Sequence, residues 1–517
     1  MIAYIGAEEP EYTQICGLLR IISSMTGKMI KPVDAIHITQ DLHLLRKENN
    51  SIFIIAMGWR EIDPWSIEEH GIQIFLFAWN TLYNPWDCDF LLKLRDKSIE
   101  TGDYYHAKGI NDILIESDWI TRRSKTLGYP NELQLESTSR CNAHCIMCEH
   151  YYTDNDGCGD LKREVLSSLC TVFPCIKEVY MHGLGEPMLY SDLEYFLHQM
   201  KSFQIRISCN SNLSVLPKKM MSLIADTFHG ISVSCDGCDE ETFSKIRRGL
   251  SLRTVLQNVK MLRESAPQIE LRMSIVAMRQ NITKLPDIIQ LAHEIGVEAV
   301  QIAYVVPNPL LENENDSLHH YPAHTKKYFD IAAKRAASYG IRAVFPQVST
   351  VPVSDELLLS EKAEMEKYKF VALSREDCRK KADSLKEYNL AAVRDMRPSE
   401  LEDSGYPCRG ICDYLLEKPY IDHNGNVFLC CINPTYRIGN ILRDGGLEQI
   451  WNSENYRKIR KLFYNGHIPN CCTNCQFLIN HNLKRIRSIE IDDSFYRKAY
   501  PGKEYQEIIQ IIERETE

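Results

Sequence analysis

Three cysteines within eight residues constrain this chain more than any other feature. They stand at Cys141, Cys145 and Cys148, a C-x3-C-x2-C pattern that follows an apolar-alternating segment at residues 132–136. Protein-bound 4Fe-4S clusters normally take four cysteine ligands, so three thiols would leave one iron open. An open coordination position is where a metal site carries out chemistry. The loop therefore predicts a cluster with one open iron, and a zinc knuckle is the alternative.

Two short apolar segments further along the chain end in glycine-containing motifs. Residues 177–181 predict a buried strand that runs into H-G-L-G-E-P at residues 182–187, and residues 230–234 predict a strand followed by C-D-G at residues 235–237. Glycine lets a backbone approach a ligand closely. With the cysteine loop placed after a first strand, these motifs resemble the radical S-adenosylmethionine (SAM) superfamily over about residues 131–475.

The resemblance implies a SAM-binding 4Fe-4S cluster on the three thiols, with SAM at the open iron. Two residues depart from the family pattern. Leu184 stands where the family's Gly-Gly-Glu-Pro motif usually begins, and Met147 stands where an aromatic residue usually precedes the third cysteine. The implied contacts to SAM, for its amino group, carboxylate, ribose or nucleoside, are Gly183, Gly185, Glu186, Asn210, Ser234 and Arg247.

Length and charge bound the organisation and the partners of the chain. At 517 residues it is too long for one ordinary domain, and about two to four are expected. A net charge of −10 argues against nucleic acid as a partner, because phosphate binding needs a basic surface. The N-terminal residues predict no signal peptide, and no apolar run approaches the roughly 18–20 residues that span a bilayer. With 19 cysteines, these features predict a cytoplasmic protein that uses metal or redox chemistry, with no membrane partner.

Residues 1–120 are predicted to form a small α/β domain. Short apolar runs alternate there with helix-like periodicity, which favours a parallel sheet. Docking of a substrate or partner is the role expected of this domain by default. The apolar runs are residues 2–5, 35–38, 52–56 and 72–77.

Residues 131–346 repeat a strand and then a helix. This pattern predicts a β/α barrel, and the family resemblance implies the partial (β/α)6 barrel of radical SAM proteins. In such barrels the chemistry lies at the carboxyl ends of the strands, where the motifs described above fall. The predicted strands are residues 133–136, 178–181, 205–209, 230–234, 270–277, 299–304 and 341–345.

Residues 347–406 interrupt the alternation. Their charged helical run at residues 355–367 predicts a connector or a lid. Three histidines precede this segment and could suggest a metal site. Because no spaced thiol or carboxylate lies close to them in sequence, they are expected to be solvated; they are His319, His320 and His324.

A second group of cysteines lies between Cys408 and Cys475. Residues 419–430 predict a β-hairpin with Asn424-Gly425 as the turn, and the hairpin ends in a G-x4-C motif. This order resembles the auxiliary-cluster domain of radical SAM enzymes called SPASM, and its spacing is similar to the shorter Twitch form. The resemblance implies a small C-terminal domain over residues 407–480 with one auxiliary 4Fe-4S cluster. Its implied ligands are Cys412, Cys430, Cys472 and Cys475.

Four cysteines are also the ligand set of a structural zinc site, which is the alternative for this domain. Cys408, Cys431 and Cys471 are further thiols that could substitute as ligands. Residues 481–517 complete the chain, and an amphipathic stretch at residues 505–512 predicts a packing helix.

The resemblance implies an enzyme that reductively cleaves SAM and removes a hydrogen from its substrate with a 5′-deoxyadenosyl radical. A fully ligated auxiliary cluster would pass electrons, which favours two-electron oxidation of a peptide or of a sugar or aminocyclitol. The alternatives are a redox-neutral epimerisation or crosslinking of a peptide and, in another class, a zinc-binding scaffold with a degenerate barrel. The expected partners are a small-molecule or peptide substrate and an electron donor such as flavodoxin or ferredoxin. No substrate-side catalytic residue is identified.

Overall fold

The computed structural model describes three N-terminal strands and most of the chain from residue 88 to residue 475. Strands β1 (Ile2–Ile5), β2 (Phe53–Ala56) and β3 (Gln73–Leu76) form a parallel sheet in this order. The predicted run at residues 35–38 and the tail helix at residues 505–512 lie outside the described residues. The described residues are 2–5, 53–56, 73–76, 88–120, 122–148, 150, 158–308, 311–346, 348, 353–368, 376–377, 380, 394–407, 410–431, 436–473, 475 and 486–488.

Helices and strands alternate through the central part of the chain, as the sequence predicts. The helices are α1 Cys88–Glu100, α2 Tyr104–Ile120, α3 Arg163–Leu169, α4 Leu193–Ser202, α5 Met221–Thr227, α6 Glu240–Ile246, α7 Leu252–Ser265, α8 Leu285–Glu294 and α9 Pro322–Ser338. The strands are β4 Glu132–Leu135, β5 His144–Cys145, β6 Glu178–Met181, β7 Arg206–Ser211, β8 Phe228–Ser234, β9 Arg247–Arg248, β10 Glu270–Ala277, β11 Ala299–Tyr304 and β12 Arg342–Val344.

Seven parallel strands lie side by side in the order β4-β6-β7-β8-β10-β11-β12. The first six make the predicted partial (β/α)6 barrel, and β12 adds a short strand at the edge. The predicted strands agree with the observed ones to within two residues at either end. The α/β fold expected from the sequence is therefore confirmed, and the domain boundaries remain predictions.

The strands bury one face and leave the other partly exposed. In β10, Leu271, Met273, Ile275 and Ala277 are buried, and the residues between them are half-buried. The buried face packs in one continuous core that also includes apolar residues of the barrel helices, such as Val259 of α7. Burial of each such side chain contributes about 1.5–3 kcal/mol. Because successive side chains of a strand point to opposite faces, the remaining residues line the concave side of the sheet.

The described residues of the C-terminal part of the chain form helices and short strands. Its elements are α10 Asp355–Lys367, β13 Arg394–Asp395, β14 Asp403–Pro407, β15 Gly410–Cys412, β16 Tyr420–Ile421, β17 Asn426–Phe428, β18 Tyr436–Asn440, α11 Leu447–Trp451, α12 Glu454–Tyr464, β19 His467–Pro469 and β20 Ile486–Ser488.

The predicted hairpin joins the barrel sheet. Strands β16 and β17 are antiparallel, and Gly425 makes the turn at φ +77°, in agreement with the predicted Asn424-Gly425 turn. Strand β16 pairs in parallel with β4, so that Ile421 lies opposite Leu135. The barrel sheet therefore extends beyond its first strand, β4, into the hairpin of the segment that carries the second group of cysteines.

A buried arginine fixes helix α12 to the rest of the protein. Arg460 is fully buried; its Nε donates to the Leu415 carbonyl at 2.9 Å, and its Nη1 donates to the Ser124 and Trp451 carbonyls at 3.1 and 2.9 Å. Its guanidinium also lies 4.5 Å from the centre of the Trp451 ring. These contacts tie α11, α12 and the segment before β4 into one packed unit.

Helix α10 spans the predicted helical run and is held by Glu361. This carboxylate accepts hydrogen bonds from the backbone amides of Ala323 and His324 at 2.9 and 2.8 Å, and it lies 2.9 Å from Nδ1 of His324. The expectation that His324 is solvated is wrong, because the residue lies in the first turn of α9 and is buried. His319 and His320 are exposed, as expected. No helix among the described residues is long and apolar enough to cross a membrane.

Asp118 in α2 gives the fold a pH dependence. Its buried Oδ2 accepts hydrogen bonds from the backbone amides of Leu127 and Gly128, both at 2.8 Å, and burial raises the pKa of the carboxyl group to about 7. Because this pKa is higher in the folded than in the unfolded state, the stabilisation is complete below about pH 4 and is lost as the pH rises through about 7.

We therefore expect the free energy of unfolding of the wild type to fall relative to that of Asp118→Asn by up to about 3 kcal/mol between about pH 4 and pH 8. The asparagine keeps an oxygen for the two amides and has no charge to bury. Urea titrations followed by circular dichroism at several pH values measure the difference. Parallel pH profiles for the two proteins would contradict the assignment.

Candidate functional site

The three-cysteine loop follows β4 and is held by a short antiparallel pairing. Strand β5 places Cys145 opposite Arg247 of β9, and the Ile146 amide donates to the Ile246 carbonyl at 3.0 Å. Cys141, Cys145 and Cys148 are all outside disulfide bonds. The loop is therefore anchored at its centre to the segment that follows α6.

The donor set fits an iron-sulfur cluster. Cysteine thiols, of which this loop carries three, are the ligand type that such clusters take. Burial raises the pKa of the Cys141 thiol to about 11 and also raises the pKa of the Cys145 thiol. A bound metal replaces the thiol proton, so these cysteines become thiolates when they are ligated. Among the described residues, no group of three or more His, Cys, Asp or Glu side chains has the arrangement of a site for a single metal ion.

The glycine loop is residues 183–187, which follow β6. It packs directly against the backbone of the cysteine loop. A Cβ at Gly185 would overlap the Thr138 carbonyl oxygen and come within 2.8 Å of the Arg140 carbonyl oxygen. The Glu186 amide donates to the same Arg140 carbonyl at 2.8 Å. Only glycine fits at position 185, because the atoms around it belong to the main chain.

The carboxylate of Glu186 is directed into the protein. It is buried and accepts hydrogen bonds from the Ser211 hydroxyl at 2.6 Å and from the Asn212 and Met188 amides at 2.7 and 3.2 Å. Burial raises the pKa of this carboxyl group. Glu186 thus joins the glycine loop to the end of β7, and its predicted contact with SAM remains a proposal.

Arg247 lies beside the cysteine loop. Its Nε is 2.7 Å from Oδ2 of Asp236, and its Nη1 donates to the Cys145 sulfur at 3.9 Å. Both charged residues are buried, and Asp236 also accepts from the Val276 amide at 2.7 Å. Against the larger effect of burial, which raises the pKa of the Cys145 thiol, the Arg247 guanidinium lowers it.

The other predicted SAM contacts lie at neighbouring strand ends. The Asn210 amide nitrogen is 3.1 Å from Nδ1 of His182, which precedes the glycine loop. Ser234 ends β8 and pairs with Ser274 of β10. The structure therefore brings the strand-end residues and Arg247 to the edge of the sheet that carries the cysteine loop.

Several residues of this arrangement were not identified from the sequence. The Asn212 side chain donates to that of Asn142 at 3.0 Å, and Asn142 donates to the Ser214 hydroxyl at 2.8 Å, which joins the cysteine loop to the end of β7. Asn142 lies inside the cysteine motif and Asp236 inside the C-D-G motif, so proximity to these motifs was the available signal. Glu136 is a further residue of this kind.

Thiols of the second group converge on Cys472. Cys412 ends β15, Cys430 follows β17, and the Cys471 and Cys472 sulfurs are 3.9 Å apart. The pKa of Cys472 is raised by its hydrogen bond with Cys471, by burial, and by the charges of Cys471, Cys430 and Cys412. The Cys475 amide donates to the Cys472 carbonyl at 3.1 Å. Cys471, predicted to be spare, therefore lies beside an expected ligand.

Comparison with known families accounts for both cysteine groups. A model of the radical SAM superfamily matches residues 135–292. A model of the SPASM iron-sulfur cluster-binding domain matches residues 412–476. The chain contains a radical SAM domain and a SPASM domain. The cofactors of this radical SAM SPASM protein are accordingly a SAM-binding 4Fe-4S cluster, SAM and an auxiliary 4Fe-4S cluster, as predicted.

Curated relatives of this radical SAM SPASM protein share part of its sequence. A cofactor-modifying protein for tungsten-containing aldehyde ferredoxin oxidoreductase from Pyrococcus furiosus is 24% identical over 184 residues, which are 34% of this chain and 51% of the relative. A probable GTP 3′,8-cyclase from Methanocaldococcus jannaschii is 26% identical over 34% of this chain and 59% of the relative. A PqqA peptide cyclase from Bradyrhizobium diazoefficiens is 26% identical over 35% of this chain and 48% of the relative. The chain thus spans about half the length of the curated relatives it matches.

Solved structures are also similar to this radical SAM SPASM protein, at low sequence identity. SuiB of Streptococcus suis bound to precursor peptide SuiA is 13% identical, with a TM-score of 0.47, and the match covers 79% of this chain and 91% of SuiB. Native anSMEcpe with bound AdoMet is 17% identical, with a TM-score of 0.44, over 74% of this chain and 98% of that protein.

Proposed function

We propose that this protein is a radical SAM enzyme that cleaves SAM reductively and removes a hydrogen atom from a peptide. The observation that carries the proposal is the meeting of the cysteine loop, the glycine loop and Arg247 at the carboxyl ends of parallel strands. Barrel enzymes bind their reacting groups at this end. The peptide class is supported by the similarity to a PqqA peptide cyclase.

The chain's own residues divide the work of holding the cofactors. Cys141, Cys145 and Cys148 would ligate the cluster, and the main chain of the glycine loop would receive the amino group of SAM. When bound, the cluster and SAM supply a 5′-deoxyadenosyl radical, which is chemistry that protein side chains do not provide. Asn210 and Ser234 would contact SAM from the neighbouring strands. The barrel positions the substrate and excludes water.

We propose oxidation as the reaction type. A substrate that has lost a hydrogen atom must lose one more electron and a proton to give a two-electron oxidation product. Cys412, Cys430, Cys472 and Cys475 would ligate a cluster that can accept that electron, and an external donor such as flavodoxin or ferredoxin would supply the electron that SAM cleavage consumes. A redox-neutral modification of the peptide is the second reaction type.

Metal content and SAM cleavage test the proposal together. Anaerobically purified wild type is expected to hold about eight irons, four for each cluster, and to form 5′-deoxyadenosine from SAM and dithionite. A variant with Cys472→Ala and Cys475→Ala should keep about four irons and SAM cleavage while losing oxidised product. Unchanged product would contradict oxidation through the auxiliary site. Colourless wild type with stoichiometric zinc would contradict the enzyme and support a scaffold.

A further inference from the structure

A buried carboxylate contacts both the glycine loop and the hairpin of β16 and β17 at residues 419–430, the SPASM hairpin. Glu136 follows β4, and its side chain is 4% exposed. Its Oε1 accepts a hydrogen bond from the Leu184 amide at 2.8 Å. Its Oε2 lies 2.7 Å from Nδ1 of His423, whose side chain is 11% exposed. One carboxylate therefore contacts two segments that are more than two hundred residues apart in the chain.

The main chain places these groups together. The Glu136 amide donates to the Ile421 carbonyl at 2.9 Å, which continues the pairing of β4 with β16. This pairing sets His423 beside Glu136. The Asn424 side-chain nitrogen is 3.0 Å from Nε2 of His423 and donates a hydrogen bond to it. Nε2 is then the acceptor of the ring, so the ring proton is on Nδ1, which donates a hydrogen bond to the Glu136 carboxylate.

The glycine loop is shaped around this carboxylate. A Cβ at Gly183 would come within 2.5 Å of Cγ and Oε1 of Glu136, so the glutamate side chain occupies the space that the glycine leaves. Leu184, which departs from the usual Gly-Gly-Glu-Pro motif, contributes its amide to Glu136. The loop proposed to bind SAM thus depends on Glu136 for both packing and a hydrogen bond.

We propose that Glu136 and His423 are positioning residues that couple SAM binding to docking of the SPASM hairpin, an inference that rests on the proposed SAM site. The hairpin donates to Glu136, and Glu136 holds the Leu184 amide in place. In His423→Phe, Oε2 of Glu136 would keep only the 3.4 Å hydrogen bond from the backbone amide of residue 423. A buried acceptor that is poorly satisfied is destabilised, so loss of the imidazole disturbs the carboxylate and the loop. Coupling is reciprocal, so SAM binding must also stabilise the hairpin.

Equilibrium dialysis of SAM against iron-reconstituted protein tests the coupling. His423→Phe and Glu136→Gln should each raise the dissociation constant of SAM by about tenfold. His423→Asn keeps a donor near the position of Nδ1 and should stay within about threefold of the wild type. The matched control is His324→Phe, which breaks another buried carboxylate–imidazole pair, with Glu361, and should leave the constant unchanged.

Hydrogen exchange at saturating SAM provides a second readout, because every variant is then fully occupied and a difference in affinity no longer changes the result. SAM should slow amide exchange at residues 420–428 in the wild type and in His324→Phe, and it should slow it less in His423→Phe. SAM constants within twofold of the wild type for both His423→Phe and Glu136→Gln would overturn the coupling and leave the SAM site intact. If Glu136→Gln fails to fold, His423→Phe decides by the same criterion. Wild type that binds no SAM would overturn the proposed function and the coupling together.

Discussion

A protein in which Cys141, Cys145 and Cys148 are all replaced by alanine is expected to form no 5′-deoxyadenosine from SAM. These thiols form the C-x3-C-x2-C motif that follows β4, and the SPASM thiols lie after the barrel. The rate should therefore fall by at least about three orders of magnitude, because the reaction has no route without the cluster. Anaerobic assays with dithionite, followed by chromatography of the nucleoside product, measure it.

Iron content separates this result from a general loss of folding. The triple variant should keep about four of about eight irons, because the auxiliary cluster has its own ligands. Cys170→Ala is the matched control, since this half-buried thiol donates to the Leu166 carbonyl of α3 and lies outside both cysteine groups. It should retain all the iron and full activity. Formation of 5′-deoxyadenosine at the wild-type rate by the triple variant would refute the assignment of the loop.

Gly185→Ala is expected to weaken SAM binding by at least about a hundredfold, or about 2.7 kcal/mol. The added Cβ would overlap the Thr138 carbonyl oxygen and crowd that of Arg140, and backbone atoms cannot move aside as a flexible side chain can. The glycine loop would therefore shift away from the cysteine loop. Equilibrium dialysis of SAM with reconstituted protein measures the loss.

Two other glycines calibrate this effect. Gly183→Ala would meet side-chain atoms of Glu136 rather than main-chain atoms, so the expected loss is smaller than for Gly185→Ala. Gly109→Ala in α2 meets no atom within 4 Å and should leave SAM binding unchanged. If the Gly185→Ala protein bound SAM like the Gly109→Ala protein, the glycine loop would not form part of the SAM site.

Much of the barrel could be predicted from local sequence patterns. A strand such as Glu270–Ala277 alternates between buried and half-buried residues, and its period of two is visible in the chain. The Asn424-Gly425 turn was predictable because few residue pairs adopt its backbone angles. The spacing of cysteines indicated their chemistry because ligands to one cluster must lie close together. These features depend on residues that are near one another in sequence.

The contacts between distant segments were decided by the tertiary structure. Nothing in residues 419–430 indicates that β16 pairs with β4, because an edge strand can accept any partner that presents free backbone groups. Three buried pairs follow from how whole elements pack. They are Glu136 with His423, Arg247 with Asp236, and His324 with Glu361. The sequence by itself predicted the candidate ligands and determined the strands, and packing decided which buried charges lie beside them.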